Sequence, residues 1–282
     1  MTICFQEIFQ YTFMQRAIIV GLFVSLCSAL LGVPLVLKQY SMIGDGLSHV
    51  GFGALAVATA LNLTPLPVAI VVVTVSAFIL LRISEKAKVK ADSLIALIST
   101  VSLAIGVVAV SMSSGMNMDI NNYLFGSILA LDKTDVYLAV VLGIVVIFTF
   151  FFLYHQVFSV TFDESFAKAT GANVTVVNLI ISIATALTIV IGMRIVGTLL
   201  MTSMIIFPAL TSMRLCKSFK NVIICSSIVS LCGFLSGILI SFFFDTPTGA
   251  SIVLVNLAIF ISFYLIKAVM IRIRLVKYKE NK

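Results

Sequence analysis

The sequence predicts an all-α polytopic membrane protein, and three observations support this fold class. Of the 282 residues, 61% are hydrophobic and only 10% are charged, and the mean hydropathy is +1.21. Soluble domains contain about 25% charged residues. The apolar residues also form long runs, and about 20 in succession cross a bilayer as a helix. We therefore expect one transmembrane domain over residues 1–282 with eight or nine spanning helices.

Nine apolar runs follow one another along the chain. They cover residues 13–37, 44–62, 65–83, 91–112, 134–154, 174–193, 195–213, 221–244 and 249–271. The chain between Gly192 and Gly197 separates its two runs only slightly, so these two count as either one span or two. The first run has no basic segment before it and is long enough to remain as a span, which argues against a cleavable signal peptide.

The lysines and arginines predict the orientation in the membrane. With the N-terminus outside, fifteen of the eighteen fall on the inner side, and only Arg16, Lys133 and Arg194 fall outside. Inner loops of membrane proteins are enriched in basic residues, so we expect a cytoplasmic C-terminus. Membrane orientation also explains the net charge of +7 without nucleic-acid binding. The five cysteines form no CxxC pair and are expected to be free.

Carboxylates mark the predicted outer side. A cluster of them would attract cations to the entrance of a pore, although loops also need polar residues for their own sake. They are Glu7, Asp119, Asp132, Asp135 and Asp245. The last of these begins the sequence Asp-Thr-Pro-Thr-Gly249, which is typical of a tight turn. Between Ser113 and Asp135 a nine-residue apolar segment is too short to span, so we expect a short outer helix there.

Asp45 and His49 are the strongest functional signal, because they stand four residues apart at the start of an apolar run. On a helix this spacing places both side chains on one face, where they can hold one cation between them. We expect Ser41 to continue that face one turn earlier. Ionisable groups inside a membrane commonly mark the path of an ion. The alternative is that the pair only hydrogen-bonds neighbouring helices or lies among lipid headgroups.

Small residues follow this pair and predict close helix packing in the membrane. They include Gly46, Gly51, Gly53, Ala54 and Ala56.

Two later segments carry weaker signals. In the predicted cytoplasmic stretch 161–171, Thr161 and Glu164 have the spacing of a capping box, Asp163 suits a helix N-terminus and Gly171 suits a C-terminal stop. Such a helix between two spans suits a protein contact or the membrane surface. In the run 195–213, Pro208 predicts a bend and Ser203 is a candidate for lining a pore.

Together these stretches resemble the permease subunits of bacterial ATP-binding-cassette importers for zinc and manganese. The resemblance covers nearly the whole chain and rests on the order and spacing of five motifs. They are Leu-Lys-Gln-Tyr-Ser-Met-Ile-Gly-Asp-Gly-Leu-Ser-His49, Tyr-Leu-Phe-Gly-Ser-Ile-Leu129, the segment 163–171, Val-Gly-Thr-Leu-Leu200 with Phe-Pro-Ala209, and Asp-Thr-Pro-Thr-Gly-Ala250.

The resemblance implies a homodimeric permease with the type II importer fold in the bacterial plasma membrane. Asp45 and His49 correspond to the metal ligands of the family's Gly-Asp-x-x-Ser-His pattern, which also includes Gly44 and Ser48. The segment 163–171 resembles the coupling helix that contacts the ATPase, with Asp163, Glu164, Ala167 and Gly171 as contact candidates. Ser41, Ser48, Ser203 and Asp245 are further candidates for lining the pore.

The same resemblance implies the partners and the cargo. A cytoplasmic ATPase would supply energy, because this sequence has no G-x-x-x-x-G-K-[ST] pattern of its own. An extracellular metal-binding protein would deliver Zn²⁺ or Mn²⁺ as cargo, with no permanently bound cofactor. Val-Gly-Phe-Gly after His49, where many manganese-type relatives have an apolar run ending in Pro-Gly, favours zinc.

The alternatives are two other classes of membrane protein. A secondary transporter or channel for divalent cations would need no ATPase, but it predicts an internal repeat that the sequence does not display. An intramembrane protease would need His-Glu-x-x-His, or Gly-x-Gly-Asp with glycine where Met42 stands. We therefore expect a permease without catalytic residues, and expect His155 to be interfacial.

Overall fold

The computed structural model describes residues 11–86, 91–112 and 131–280, and the regular structure in these ranges is helical. Its helices are α1 (Thr12–Leu37), α2 (Ile43–Ala60), α3 (Pro65–Lys86), α4 (Ala91–Met112), α5 (Lys133–Phe152), α6 (Tyr154–Phe162), α7 (Glu164–Ala169), α8 (Val174–Val196), α9 (Thr198–Leu215), α10 (Phe219–Phe244) and α11 (Thr248–Glu280). The all-α prediction is confirmed for this part of the chain. The short outer helix predicted after Ser113 lies outside it.

Each of the nine predicted apolar runs corresponds to one of these helices. Seven helices in the described ranges are long and apolar enough to cross a membrane by themselves. The remaining two, α2 and α9, have 18 residues each. Thirteen residues of α2 are buried in the protein, so most of this helix lies inside the bundle.

The turn between α8 and α9 is buried. Because a buried turn has few polar residues to mark it, the sequence did not decide whether these two runs form one span or two. Gly197 forms this turn with a φ of 83°, and the next residue, Thr198, is only 1% exposed. Non-helical backbone at membrane depth is tolerated where protein surrounds it. Gly192, just before the turn, packs against Met201 and against Val24 in the middle of α1. The ambiguous run is therefore a separate, short helix.

Helix α1 forms the centre of the bundle, and α5, α8, α9 and α10 pack around it. Helix α2 packs against α3, α4 and α9 on one side of this core. The outermost helices are α4 and α11, which are mostly exposed in the isolated protomer. Helix α2 is therefore packed between the core helix α9 and the outer helix α4.

Glycines let α2 approach its neighbours closely. A Cβ atom on Gly53 would lie 2.5 Å from the carbonyl oxygen of Ser102 in α4, and one on Gly51 would lie 2.6 Å from the Cε of Met193 in α8. Gly46 leaves room in the same way for Ile95 of α4. The small residues noted in the sequence therefore set the distance between helices, as expected for packing in lipid.

Gly53→Ala tests this close approach. Alanine has the higher helix propensity, by about 1 kcal/mol, but its methyl group would collide with the backbone of α4. We expect a net destabilisation of about 1–3 kcal/mol, as for other overpacked sites, seen as a lower midpoint of thermal unfolding in detergent. Ala104→Val, on the exposed face of α4, is the control and should change little. A higher midpoint for Gly53→Ala would contradict the packing described here.

Candidate functional site

The site begins where α2 begins, at Ile43. Asp45 lies in the first turn of this helix, where a carboxylate interacts favourably with the helix dipole. Ser41 lies in the preceding turn, so the prediction that it continues the helical face of Asp45 is wrong. The reason is that the chain between Leu37 and Ile43 forms a tight connection, in which Gln39 has a φ of 63°.

Asp45 and His49 face each other as the i, i+4 spacing predicts. Asp45 Oδ1 is 3.5 Å from His49 Nε2 and also 3.5 Å from Thr202 Oγ1 of α9. Both distances are longer than most hydrogen bonds of these groups. In the isolated protomer 30% of the Asp45 side chain and 14% of the His49 side chain are exposed. The carboxylate is therefore only loosely held and partly accessible.

The separation of the two side chains suits a shared metal ion. Bonds of about 2.0–2.2 Å to a tetrahedral zinc ion place two ligand atoms about 3.4 Å apart. The observed 3.5 Å between oxygen and nitrogen is close to this value. Within the described residues, no group of three or more His, Cys, Asp and Glu side chains could hold a metal. Within these residues, one protomer therefore provides two such ligands to the site, Asp45 and His49.

Several polar atoms in this region of α2 and α9 are buried without a partner. They are His49 Nδ1, Thr198 Oγ1 and Ser203 Oγ. Metal-bound histidines usually donate their second ring N–H to an acceptor, which fixes the ring. Nδ1 of His49 has no such acceptor among the described residues, so packing around the largely buried ring, and not a second hydrogen bond, holds the imidazole.

The other predicted pore residues on α2 and α9 are more deeply buried in the protomer than Asp45. Ser48 is fully buried and donates a 2.6 Å hydrogen bond to the carbonyl of Gly44, one turn earlier. Ser203 is 6% exposed, and Met201 and Met204 are core residues. Pro208 is buried inside α9. In the protomer, Ser48 therefore contributes to the packing of its own helix.

Asp245 lies far from Asp45 along the bundle. It ends α10 with a φ of 49°, as a turn residue would, and it lines a cavity beside Met14 in the first turn of α1. Asp45 follows Gly44, which packs on Ile205, and Ile205 also packs on Gly32 near the other end of α1. Met14 and Gly32 are about 27 Å apart along the helix. The structure does not bring Asp245 to the Asp45–His49 pair.

The predicted cytoplasmic helix is present as α7, but its cap differs from the prediction. Asp163 is the N-cap, and its side chain accepts a 2.9 Å hydrogen bond from the backbone N–H of Phe166. The capping box of Thr161 with Glu164 is wrong, because Thr161 is still part of α6 and donates to Val157. Gly171 follows the helix with a φ of 88°, as predicted for a C-terminal stop.

Glu164 is part of a polar cluster that the sequence did not reveal. Lys38 Nζ, at the end of α1, donates to Glu164 Oε1 at 2.7 Å and to Asn178 Oδ1 of α8 at 2.9 Å. The Lys38 side chain is 12% exposed and that of Glu164 31%. The cluster ties α7 to the connection that leads, seven residues later, to Asp45. Ala167 of α7 is fully buried and packs in the core.

Thr202 and Lys38 are the two residues that sequence reasoning missed. Thr198 and Thr202 have the same four-residue spacing as Asp45 and His49, which was a usable signal for a polar face on α9. Lys38 gave no comparable signal, because its partners are 126 and 140 residues away in the chain.

Comparison with known proteins gives the family. Residues 10–267 match the model of the ABC 3 transport family. The zinc uptake membrane protein ZnuB of Haemophilus influenzae is 30% identical over 245 residues, which cover 87% of this chain and 94% of ZnuB. The manganese transport membrane protein MntC of Halalkalibacterium halodurans is 26% identical over 260 residues, 92% of this chain and 89% of MntC.

Solved structures agree with this result. A chain in the structure of PsaBC from Streptococcus pneumoniae in complex with Fab matches with a TM-score of 0.81 and 28% identity, over 92% of this chain and 93% of that one. An inward-facing metal-chelate type ABC transporter matches with a TM-score of 0.74 at 16% identity, which supports the fold alone. The permease fold expected from the sequence motifs is confirmed, and this chain belongs to the ABC 3 transport family.

Proposed function

We propose that this chain is the pore-forming permease subunit of an ATP-driven importer of divalent metal ions. The observation that carries the proposal is the Asp45–His49 pair, a carboxylate and an imidazole at metal-sharing distance inside a membrane protein. Membership of an ABC transport family supports ATP-driven transport over a secondary transporter or channel.

Zinc is the proposed cargo, with manganese next. Imidazole and carboxylate ligands in a tetrahedral arrangement suit zinc, whereas manganese favours six oxygen-rich ligands. The relatives named above include one for each metal. The 3.5 Å spacing and the single imidazole are compatible with zinc and leave at least two coordination positions for other ligands.

The incomplete ligand set supports a homodimer. Two protomers facing each other across a twofold axis would bring two carboxylates and two imidazoles to one pore, with water completing the coordination of each passing ion. The Asp45 side chain is accessible enough to face such an axis. Loose coordination also suits transport, because an ion must leave its site as readily as it enters.

Helix α7 is the proposed contact with the cytoplasmic ATPase. It offers exposed residues on one side and anchors Ala167 in the core on the other, so a push on α7 would reach the bundle. Asp163 and Gly171 define the two ends of the helix, and Glu164 links it to Lys38. This arrangement supports the coupling role predicted for the segment 161–171.

Transport then follows an alternating-access cycle in the plasma membrane. Closure of the ATPase dimer displaces α7, and the Lys38 cluster passes this displacement to the connection between α1 and α2. Movement of that connection shifts the first turn of α2 and opens the pore to the metal-loaded binding protein outside. Asp45 and His49 of both protomers then pass the ion inward. The C-terminus lies on the cytoplasmic side.

Asp45→Asn and His49→Ala test the metal site. Each variant removes one of the two ligands, and we expect zinc uptake to fall by about tenfold or more, since even the hydrogen-bond partners of metal ligands contribute about 10–100-fold. The measurement is uptake of radioactive zinc by cells that lack their own importer and express the complete system. Ser262→Ala, at an exposed position of α11, is the control and should transport normally. Unchanged uptake by both ligand variants at normal expression would refute the site.

Charge reversal tests the Lys38 cluster. In Lys38→Glu or Glu164→Lys, like charges would meet where a 2.7 Å ion pair now lies. Hydrogen bonds of charged groups are worth about 1.5–3 kcal/mol, so we expect uptake to fall by about tenfold in each variant. The double variant restores the pair and should recover most of this loss.

Lys133→Glu provides the control for this reversal, because Lys133 is exposed at the start of α5, at the opposite end of that helix from α7. It should leave uptake within about twofold of the parent, as expected for an exposed charge. ATP hydrolysis by the assembled complex distinguishes coupling from assembly, since an uncoupled complex still hydrolyses ATP. A double variant no better than the worse single variant would argue against transmission through this ion pair.

A further inference from the structure

An open groove lies between α5 and α10, outside the site described above. It has a volume of about 600 Å³, which is within the range of about 300–1,000 Å³ for small-molecule sites. Leu30 of α1 forms part of its lining. The groove is lined by Leu30, Ile147, Phe150, Phe151, Tyr154, His155, Lys220, Ile223 and Ile224. We call this cavity the α5–α10 groove.

The groove has an apolar part and a basic part. Its walls on α5 and α10 are Ile and Phe side chains, and some of these point outward, since Phe151 is 79% exposed and Ile224 is 50% exposed. Lys220 and His155 provide the charged and polar nitrogen atoms, and no carboxylate lines the groove. An amphiphile with a hydrocarbon chain and an anionic head matches both parts.

Neighbouring aromatic residues indicate the depth of the basic part in the membrane. The rings of Tyr154 and Phe158 lie 5.7 and 5.3 Å from the ring of Phe219, the residue before Lys220. Tyrosine is enriched at the level of the lipid headgroups, so Tyr154 indicates this depth. Lys217 lies in the connection between α9 and α10 and Lys220 in the first turn of α10, on the side that the positive-inside rule assigns to the cytoplasm.

We propose that the α5–α10 groove binds an anionic phospholipid of the inner leaflet. An acyl chain fills the apolar part, where an empty space would lose dispersion contacts. The phosphate of the headgroup binds Lys220, with His155 as a second hydrogen-bonding group. Basic pockets between transmembrane helices on the cytoplasmic side are suited to such headgroups. This site is independent of the metal pair and of the Lys38 cluster.

Lipid titration of the purified full-length chain tests this proposal. The delipidated protein in detergent is titrated with dioleoylphosphatidylglycerol or dioleoylphosphatidylcholine, and bound lipid is counted by native mass spectrometry. We expect the anionic lipid to bind at least about fivefold more tightly, the factor that one basic residue near a membrane contributes. Lys220→Gln should remove this preference, and Lys217→Gln, outside the groove, should retain it.

A second pair of variants tests the apolar part. Ile224→Trp should fill the groove and weaken binding of both lipids by about fivefold or more, whereas Ile228→Trp, one turn further along the exposed face of α10, should not. Equal affinity of the parent protein for both lipids would overturn the proposal, as would equal losses in Lys217→Gln and Lys220→Gln. Displacement of the lipid by inorganic phosphate would also overturn it. Loss of dimer in Ile224→Trp alone would instead identify the groove as an interface between two copies.

Discussion

Close packing of α2 inside the bundle is the constraint on which the site depends. An aspartate and a histidine are costly in contact with lipid, and here most of the helix that carries them is buried in the protein. That position is available only to a helix with little side-chain volume. Gly46, Gly51 and Gly53 meet Ile95, Met193 and Ser102 at distances that leave no space for a Cβ atom. The small residues of α2 therefore permit the close packing that buries most of the helix carrying Asp45 and His49.

A short stretch of chain also connects the Asp45–His49 pair to α7. Helix α2 begins six residues after α1 ends, and Lys38 in that short connection is held by Glu164 and Asn178. The Lys38 cluster therefore connects α7 to the start of α2, which is the path that we propose for the displacement of α7. The pair at Asp45 and His49 is loosely held by comparison, with contacts of 3.5 Å and an unpaired Nδ1. A closely bonded cluster next to a loosely held ligand pair suits the transient metal site that we propose.

Local sequence patterns predicted the local features of this protein and missed the long-range ones. Hydrophobic runs gave all nine apolar helices, because helix length in a bilayer is fixed by its thickness. The four-residue spacing placed Asp45 opposite His49 correctly. The capping box at Thr161 was wrong because α6 extends through that residue, a fact decided by packing against α1 and α8. The contacts of Thr202 and of the Lys38 cluster join residues more than 100 positions apart. The spacing of Thr198 and Thr202 indicated a polar face on α9 but not its partner, and Lys38 had no periodic signal at all.

X-ray absorption spectroscopy of the zinc-loaded protein tests the central claim most directly. With zinc at the Asp45–His49 pair, the spectrum should contain nitrogen and oxygen neighbours at about 2.0–2.2 Å with an imidazole contribution. That contribution should be lost in His49→Ala at the same protein concentration. A spectrum that is unchanged in this variant, or that is dominated by sulfur at about 2.3 Å, would contradict the claim that this pair binds the metal.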